Sequence, residues 1–527
     1  MRSLVRSPVA WTIVAVTAIL VGLWQTQPSR SCSSACTQPD TSQSSNCPSH
    51  TGYFEYECAG KPHQASWAAW HHPGLVGAAK SSGSSSERAG IVTKDWNILY
   101  HLGGCGPWVE KSVAVVEGGI APPDGCEVEQ VHMLARHGER YPTKGPGQRM
   151  KALVERMKNS GIVFKDELAF FNNWDLFWND DSQLEQLTNT GPFAGTLGAF
   201  TTGVRLRTRY HRLLALAHSQ FPVVKYWASD SPRVIDTARY FGAGFFGHDW
   251  QKTVSLQIIS EAQSMGADTL TPGDTCLSYY HDNVTGHDNG YKMMHQYRST
   301  YLRPIQKRLL QRHRDIEFSE NDIYAMQEMC GFETTVRGGS HWCNVFTQEE
   351  FLGFEYARDI LHYYRAGPGT KYAAVMGWLW LNATMNLMLE GPTAGPLFLS
   401  FVHDGDIAPV LTALDIINDA EHLPITHIKR DRKWRKSQVS PMGGRTIFEV
   451  LSCNTKGEST PSKFVRLNIN DGITMLPDCN NGPGRSCPLQ DFALRTKRKG
   501  EEAGDFREKC GLSEDAPDRI TFLHQHQ

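Results

Sequence analysis

Three stretches of the chain repeat one pattern of apolar and polar positions. EVEQVHMLA, residues 127–135, is a short apolar run that stops at the polar tripeptide Arg136-His137-Gly138. FPVVKYWASDSPRVIDTARYFGAGFF, from Phe221, passes from an apolar run through a polar turn at Ser229 to Arg233 into a helical period. GPLFLSFVHDGDIAPVLTALDI, from Gly395, does the same, with a strand ending at Val402 and a helix expected from near Asp406. Short apolar runs closed by turn residues read as buried strands, and the 3.6-residue period behind them as helices. Segments 147–185 and 291–366 carry a helical period. The pattern predicts an α/β fold in which a Rossmann-like central sheet is flanked by helices and bears an inserted, mainly helical cap. In such sheets ligands bind in the crevice at the carboxyl ends of the strands. If the three strands are neighbours, Arg136, His137, Arg140, Arg233, His403 and Asp404 meet there.

The N-terminal part breaks this pattern. Arg2 and Arg6 precede an apolar run from about Pro8 to Trp24, so residues 1–30 read as a secretory signal peptide or a signal anchor. The run is short for a bilayer span of ~20 residues, yet no small-x-small cleavage site follows it, which favours the uncleaved anchor. Residues 31–88 form a Ser/Thr/Pro-rich lead-in that cannot bury enough apolar surface to fold alone. The folded region is 89–527, with an α/β core about 95–145, 195–250 and 372–515 and a helical cap about 146–194 and 251–371.

Composition narrows the chemistry. In 527 residues, 53 basic and 55 acidic side chains nearly cancel, so no global field points to nucleic acid or a membrane surface. Thirteen cysteines without metal-ligand spacing fit disulfides in an oxidising compartment, as do the sequons at Asn283 and Asn382. Localisation is therefore expected to be extracellular or at the cell surface.

In LARHGERYP, His137 stands between two arginines. Their charge makes the imidazole harder to protonate, which suits a nucleophile and not a proton carrier, and several guanidinium forks best fit a phosphate group. Alone, RHG is as well read as a solvated surface turn, and His403-Asp404 alone as a helix N-cap. Arg233 and the His-Asp pair together favour the functional reading.

Arg136-His137-Gly138-Glu139-Arg140-Tyr141-Pro142 resembles the RHGxRxP motif of the histidine acid phosphatases, the branch of the histidine phosphatase superfamily that includes fungal acid phosphatases and phytases. His403-Asp404 resembles the second, His-Asp motif of that family, and Arg233 falls where it keeps a third phosphate-binding arginine. The likeness covers roughly residues 95–515 and implies a phosphoglycerate-mutase-like fold. It implies a phosphoric monoester hydrolase in which His137 attacks phosphorus, Arg136, Arg140, Arg233 and His403 hold the phosphate, and Asp404 protonates the leaving group. No metal or other cofactor is required, the partner is a small phosphomonoester, and an acidic optimum follows from the roles. By position the cysteines look like the family pairs Cys126 with Cys453, Cys276 with Cys510, Cys330 with Cys343 and Cys479 with Cys487. Cys32, Cys36, Cys47, Cys58 and Cys105 are left unassigned.

Acid phosphatase is placed ahead of 3-phytase because Glu139 and Gly405-Asp406 depart from the phytase pattern, and an acidic side chain near the pocket disfavours a polyanion. An inactive, surface-tethered phosphate-binding protein is the alternative of another class; a phosphomutase fits poorly with secretion. GAGFFG, 242–247, follows a helical segment and reads as close packing, not a dinucleotide site. HIKRDRKWRK, 427–436, reads as a solvated loop with a lesser chance of lending positive potential to the pocket, and RLRTRYHRL, 205–213, as a solvated helix face. Lys144 reads as a surface lysine.

Overall fold

β1 (Cys126–Arg136) and β4 (Leu397–Val402) lie parallel, Val131 opposite Leu397 through Arg136 opposite Val402. Their alternate residues face opposite sides, as the two-residue period of a strand requires. Val131, Met133, Ala135, Leu399 and Phe401 enter one apolar layer, and Leu134, Phe398 and Val402 the other. A strand covered on both faces needs apolar residues throughout, which is why LFLSFV is buried at every position. The computed structural model describes residues 88–526 apart from 91, 94 and 455–459. The expected signal segment, most of the lead-in, and Cys32, Cys36, Cys47 and Cys58 lie outside the described residues.

The sheet runs β3 (Val254–Ile259), β2 (Val224–Ser229), β4, β1, β5 (Arg445–Cys453), β6 (Ser462–Ile469) and β7 (Gly472–Thr474), with β8 (Cys487–Pro488) also pairing β6. The first four are parallel and the rest antiparallel. It is the mixed α/β sheet flanked by helices that the sequence predicts. β3 corrects one boundary. Residues 254–259 fall inside the expected cap, but they extend β2 from Val224–Val254 to Ser229–Ile259 and form the sheet edge.

On one face pack α2 (Gly195–Gln220) and α3 (Pro232–Phe245), behind α1 (Lys144–Asn159) in the chain. A Cβ on Gly203 would meet Phe241 O at 2.3 Å and one on Gly244 would meet Phe200 O at 2.1 Å, so glycine lets the two helices touch. Gly242 and Gly244 of GAGFFG are packing residues, as expected, while Gly247 adopts a positive φ of 110° past the helix end. The 205–213 segment departs from expectation. Arg205 ion-pairs with Asp471 and Arg209 with Glu449, both largely buried, while Arg207, His211 and Arg212 stay exposed.

The other face carries α4 (Asn289–Arg312), α5 (Glu320–Arg337), α6 (Gln348–Ala366), α7 (Ala373–Glu390), α8 (Asp404–Ala413) and α9 (Leu489–Ala503). Among the described residues no helix is long and apolar enough to cross a membrane. Disulfides join Cys126 to Cys453, Cys276 to Cys510, Cys330 to Cys343 and Cys479 to Cys487, while Cys105 is buried and free. The first closes the far end of the β1–β5 ladder, where Cys126 lies opposite Cys453. Asn283 is exposed; Asn382 is half-buried within α7, with Thr384 of its sequon buried.

Candidate active site

Where β1 ends, the chain is held from three sides. Arg136 N donates to Gly444 O at 2.7 Å, His137 N to Val402 O at 3.0 Å, and Gly443 N back to His137 O at 2.8 Å. Gly138 is needed next, because a Cβ there would stand 2.9 Å from Gly195 O. Its N–H donates to Thr237 Oγ1 at 2.9 Å. The His137 ring is buried, with Nδ1 2.8 Å from Gly138 O. A carbonyl only accepts, so Nδ1 carries the proton and Nε2 keeps its lone pair. Burial first, and then Arg136, Arg140, Arg233 and His403, hold this imidazole well below the ordinary histidine range.

Arg136, His137, Arg140, Arg233, His403 and Asp404 all line one cavity of about 530 Å³ at the carboxyl ends of the parallel strands. Arg233 enters from the start of α3, behind the Ser229–Ser231 turn. Its Nη2 is 3.3 Å from His403 Nδ1, and His403 Nε2 is 2.9 Å from Glu261 Oε1. The carboxylate accepts and the guanidinium donates, which places the His403 proton on Nε2. Arg140 donates to Tyr141 O at 2.8 Å, and burial with the neighbouring Arg136 and Arg233 lowers it to about 9.

The His-Asp helix begins two residues earlier than expected. His403 is the N-cap residue, and Asp406, three residues on, accepts its backbone N–H at 2.9 Å. This capping box frees the Asp404 carboxyl for the cavity, at a helix end that favours negative charge. Its Oδ2 lies 2.9 Å from Lys436 Nζ, 3.3 Å from Arg136 Nη2 and 3.7 Å from His362 Nδ1. Burial pushes this carboxyl up, but Arg136 and Lys436 outweigh burial and hold it well below the usual carboxylate range. His362 adds little charge, since burial and then Lys436 keep it well below the ordinary histidine range.

Lys436 overturns the solvated-loop reading of 427–436. Arg432, Trp434 and Lys436 are all buried. Arg432 Nε pairs with Asp359 Oδ2 at 2.6 Å, and the Lys436 N–H donates to Asp359 Oδ1 at 2.6 Å. Sequence reasoning also missed Glu261 and the cavity-lining Arg358, His362 and Arg365 of α6. The last three had a signal. They recur at i, i+4 and i+7 of one helix, so they share one face.

Glu139 corrects another expectation. It does not line the cavity; its Oε1 accepts from Trp108 N at 2.8 Å in a separate recess with Phe241, Phe401 and Arg445. Burial raises its carboxyl to about 7 against the Trp108 N–H and Arg136. Repulsion of a polyanion by Glu139 is therefore not available as an argument. Lys144 is exposed, as expected. Among the described residues no group of His, Cys, Asp and Glu has the arrangement to hold a metal ion.

A strand-end histidine, three arginines and a His-Asp helix start stand around one cavity, in the arrangement that the sequence resemblance implies. Residues 127–470 match the Histidine phosphatase superfamily (branch 2), and the chain belongs to that family. It is 33% identical to a phytase of Candida albicans over 82% of this chain and 91% of that one. It is 33% identical to an acid phosphatase of Komagataella pastoris over 81% and 90%. The crystal structure of the phytase from D. castellii superposes with a TM-score of 0.75 at 31% identity, covering 82% of this chain and 91% of that one. The protein is a phosphoric monoester hydrolase of the acid phosphatase and phytase type.

Proposed function

We propose that the chain hydrolyses phosphate monoesters by in-line attack of His137 Nε2 on phosphorus, forming a phosphohistidine that water then opens. Arg136, Arg140, Arg233 and His403 hold the phosphate oxygens, where guanidinium forks in a shielded cavity stabilise the charge that develops in transfer. Asp404 protonates the leaving oxygen and later takes a proton from the attacking water. The observation that carries this reading is the fixed tautomer of a buried His137, whose donated Nδ1 proton leaves Nε2 nucleophilic. The test is phosphate release from an aryl phosphate at pH 4 to 6 without added metal, for the wild type beside His137→Ala. Release that the substitution abolishes, with acid-labile phosphate trapped only on the wild type, is expected. Binding without release would favour the surface-tethered phosphate-binding protein.

A second reading, 3-phytase, draws support from Arg149, Arg298, Arg358 and Arg365, which line the cavity beyond His137, and from the withdrawal of Glu139. The ratio of kcat/KM on myo-inositol hexakisphosphate to that on a simple monoester decides between them. Segments 146–194 and 260–371 act in this proposal as the cap over the strand ends. The four disulfides fit an oxidising compartment. With the apolar N-terminal run they support an enzyme secreted or tethered at the cell surface, with glycans at Asn283 and Asn382 to be tested by mass spectrometry.

A further inference from the structure

A carboxyl that must give a proton to a leaving oxygen stands here against an ammonium and a guanidinium, which keep it ionised. The three polar contacts of Asp404 with Arg136, Lys436 and His362 all fall on Oδ2. Lys436 Nζ, buried with 1% exposure, also reaches Ser440 O and Ser440 Oγ, each at 2.7 Å. Three acceptors match the three donors of one ammonium. The charged and titratable groups facing it are Asp404 of α8, Arg136 of β1, and Arg358, Asp359 and His362 of α6; Gly104 packs on its stem. Burial lowers the ammonium to about 7, Asp404 opposing and Arg136 assisting. It is thus charged in acid yet able to part with a proton, which an arginine is not.

We propose that Lys436 is the positioning residue and proton store of Asp404, holding the carboxylate in the cavity and supplying the proton that Asp404 passes to the leaving oxygen. The proposal rests on the phosphoryl-transfer reading above. As the His137 Nε2–P bond forms and the ester P–O bond breaks, the ionised Asp404 takes a proton from Nζ and passes it to the leaving oxygen. In the second step water attacks phosphorus, the N–P bond breaks, and the proton lost by water returns through Asp404 to Nζ. Atoms and charge balance with no further reactant.

A structural role and a proton-supplying role part company when the leaving group changes. Nitrophenolate departs without protonation, whereas the alkoxide of glycerol 2-phosphate does not. General acid catalysis is worth ~10²–10⁴ in rate. Lys436→Met is therefore expected to lower kcat/KM on glycerol 2-phosphate by ~100-fold or more, and on nitrophenyl phosphate by ~10-fold or less. Lys436→Arg keeps the charge but cannot release the proton, and should show the same selective loss. Asp404→Asn combined with Lys436→Met should be no worse than Asp404→Asn alone. Equal losses on both esters, or unimpaired glycerol 2-phosphate turnover, would overturn the proposal and leave the phosphatase reading standing. Wild type that hydrolyses neither ester would overturn both. If the variants do not fold, the wild-type pH profile decides. An alkaline limb near pH 7 is expected on glycerol 2-phosphate and not on nitrophenyl phosphate, and identical limbs would overturn the proposal.

Discussion

The amide of His137 donates to the carbonyl of Val402 at 3.0 Å, so the end of β4 sets the position of the proposed nucleophile and, one residue later, of His403 and Asp404. The two motifs, remote in sequence, share one hydrogen bond. Thr237 makes the matching link to the third. Its Oγ1 accepts from Gly138 N at 2.9 Å and donates to Arg233 O at 2.7 Å, tying the His137 turn to the helix that carries Arg233. Thr237→Val keeps the shape and leaves the Gly138 N–H buried without an acceptor, a cost of about 1–3 kcal/mol. We expect denaturant unfolding to show that loss and kcat/KM to fall ~10-fold, the equivalent of ~1.4 kcal/mol in the barrier. Unchanged activity in a destabilised variant would mean that the turn is held by Val402 and Gly443 alone.

His137 and Asp404 both titrate below their ordinary ranges, and this fixes the acid side of the activity profile. Protonation would disable the imidazole as a nucleophile, but burial and the arginines delay it far below the usual ~6.5. After allowance for substrate ionisation near ~6, kcat/KM is expected to hold as pH falls through 6.5, with the acid limb well below the ordinary histidine range. A limb between 6 and 7 belonging to the enzyme would show a histidine of ordinary basicity. The measurement is a pH–rate profile from 3 to 8.

The chain announced β1, β2 and β4 because each is an apolar run that ends in a turn of chemistry-bearing residues, and those turns brought Arg136, His137, Arg233, His403 and Asp404 to the cavity. Lys436 and Glu261 were not legible. Neither stands in a turn of that pattern; each reaches the site because tertiary packing folds its segment over the strand ends. A basic run such as KRDRKWRK reads as solvated because a buried lysine needs its partners named. Those partners, Asp359 and Asp404, lie 77 and 32 positions away in sequence. Trp434 within the run, an aromatic side chain among charges, is the one residue whose type favours burial. Glu139 failed in the opposite way, since the motif gives its place in sequence but not that β1 turns its side chain behind the sheet.

Glu139 yields a test on two readouts. Because it faces Trp108 and not the cavity, Glu139→Gln should leave the ratio of kcat/KM for phytate and for an aryl phosphate within ~2-fold, far under the ~10-fold worth 1.4 kcal/mol. Its folded carboxyl is raised from the ordinary 4.5 to about 7, so the folded state favours the proton and stability falls as pH rises through that window. The neutral amide removes that dependence. Relative to wild type, Glu139→Gln should therefore gain stability on going from pH 5 to pH 7. A large change in substrate ratio would restore Glu139 to the pocket.

Glu449 carries the reverse sign. It is fully buried, with Arg209 Nη2 and Tyr210 OH each at 2.6 Å from Oε1, and Arg466 Nη2 at 2.7 Å from Oε2. Burial pushes its carboxyl up, but Arg209 and Arg466 prevail and lower it. A depressed carboxylate contributes stability that is present above the unfolded value and lost only as pH falls through the folded one. This network therefore stays charged at pH 5. Glu449→Gln strands two buried guanidinium groups, and breaking such a pair from one side costs about 3–5 kcal/mol. The loss should appear in full in denaturant unfolding at pH 5 and shrink toward pH 3, as the wild-type carboxylate takes up its own proton. A gap of the same size at both values would mean that packing of the side chain, and not its charge, holds β5, β6 and α2 together.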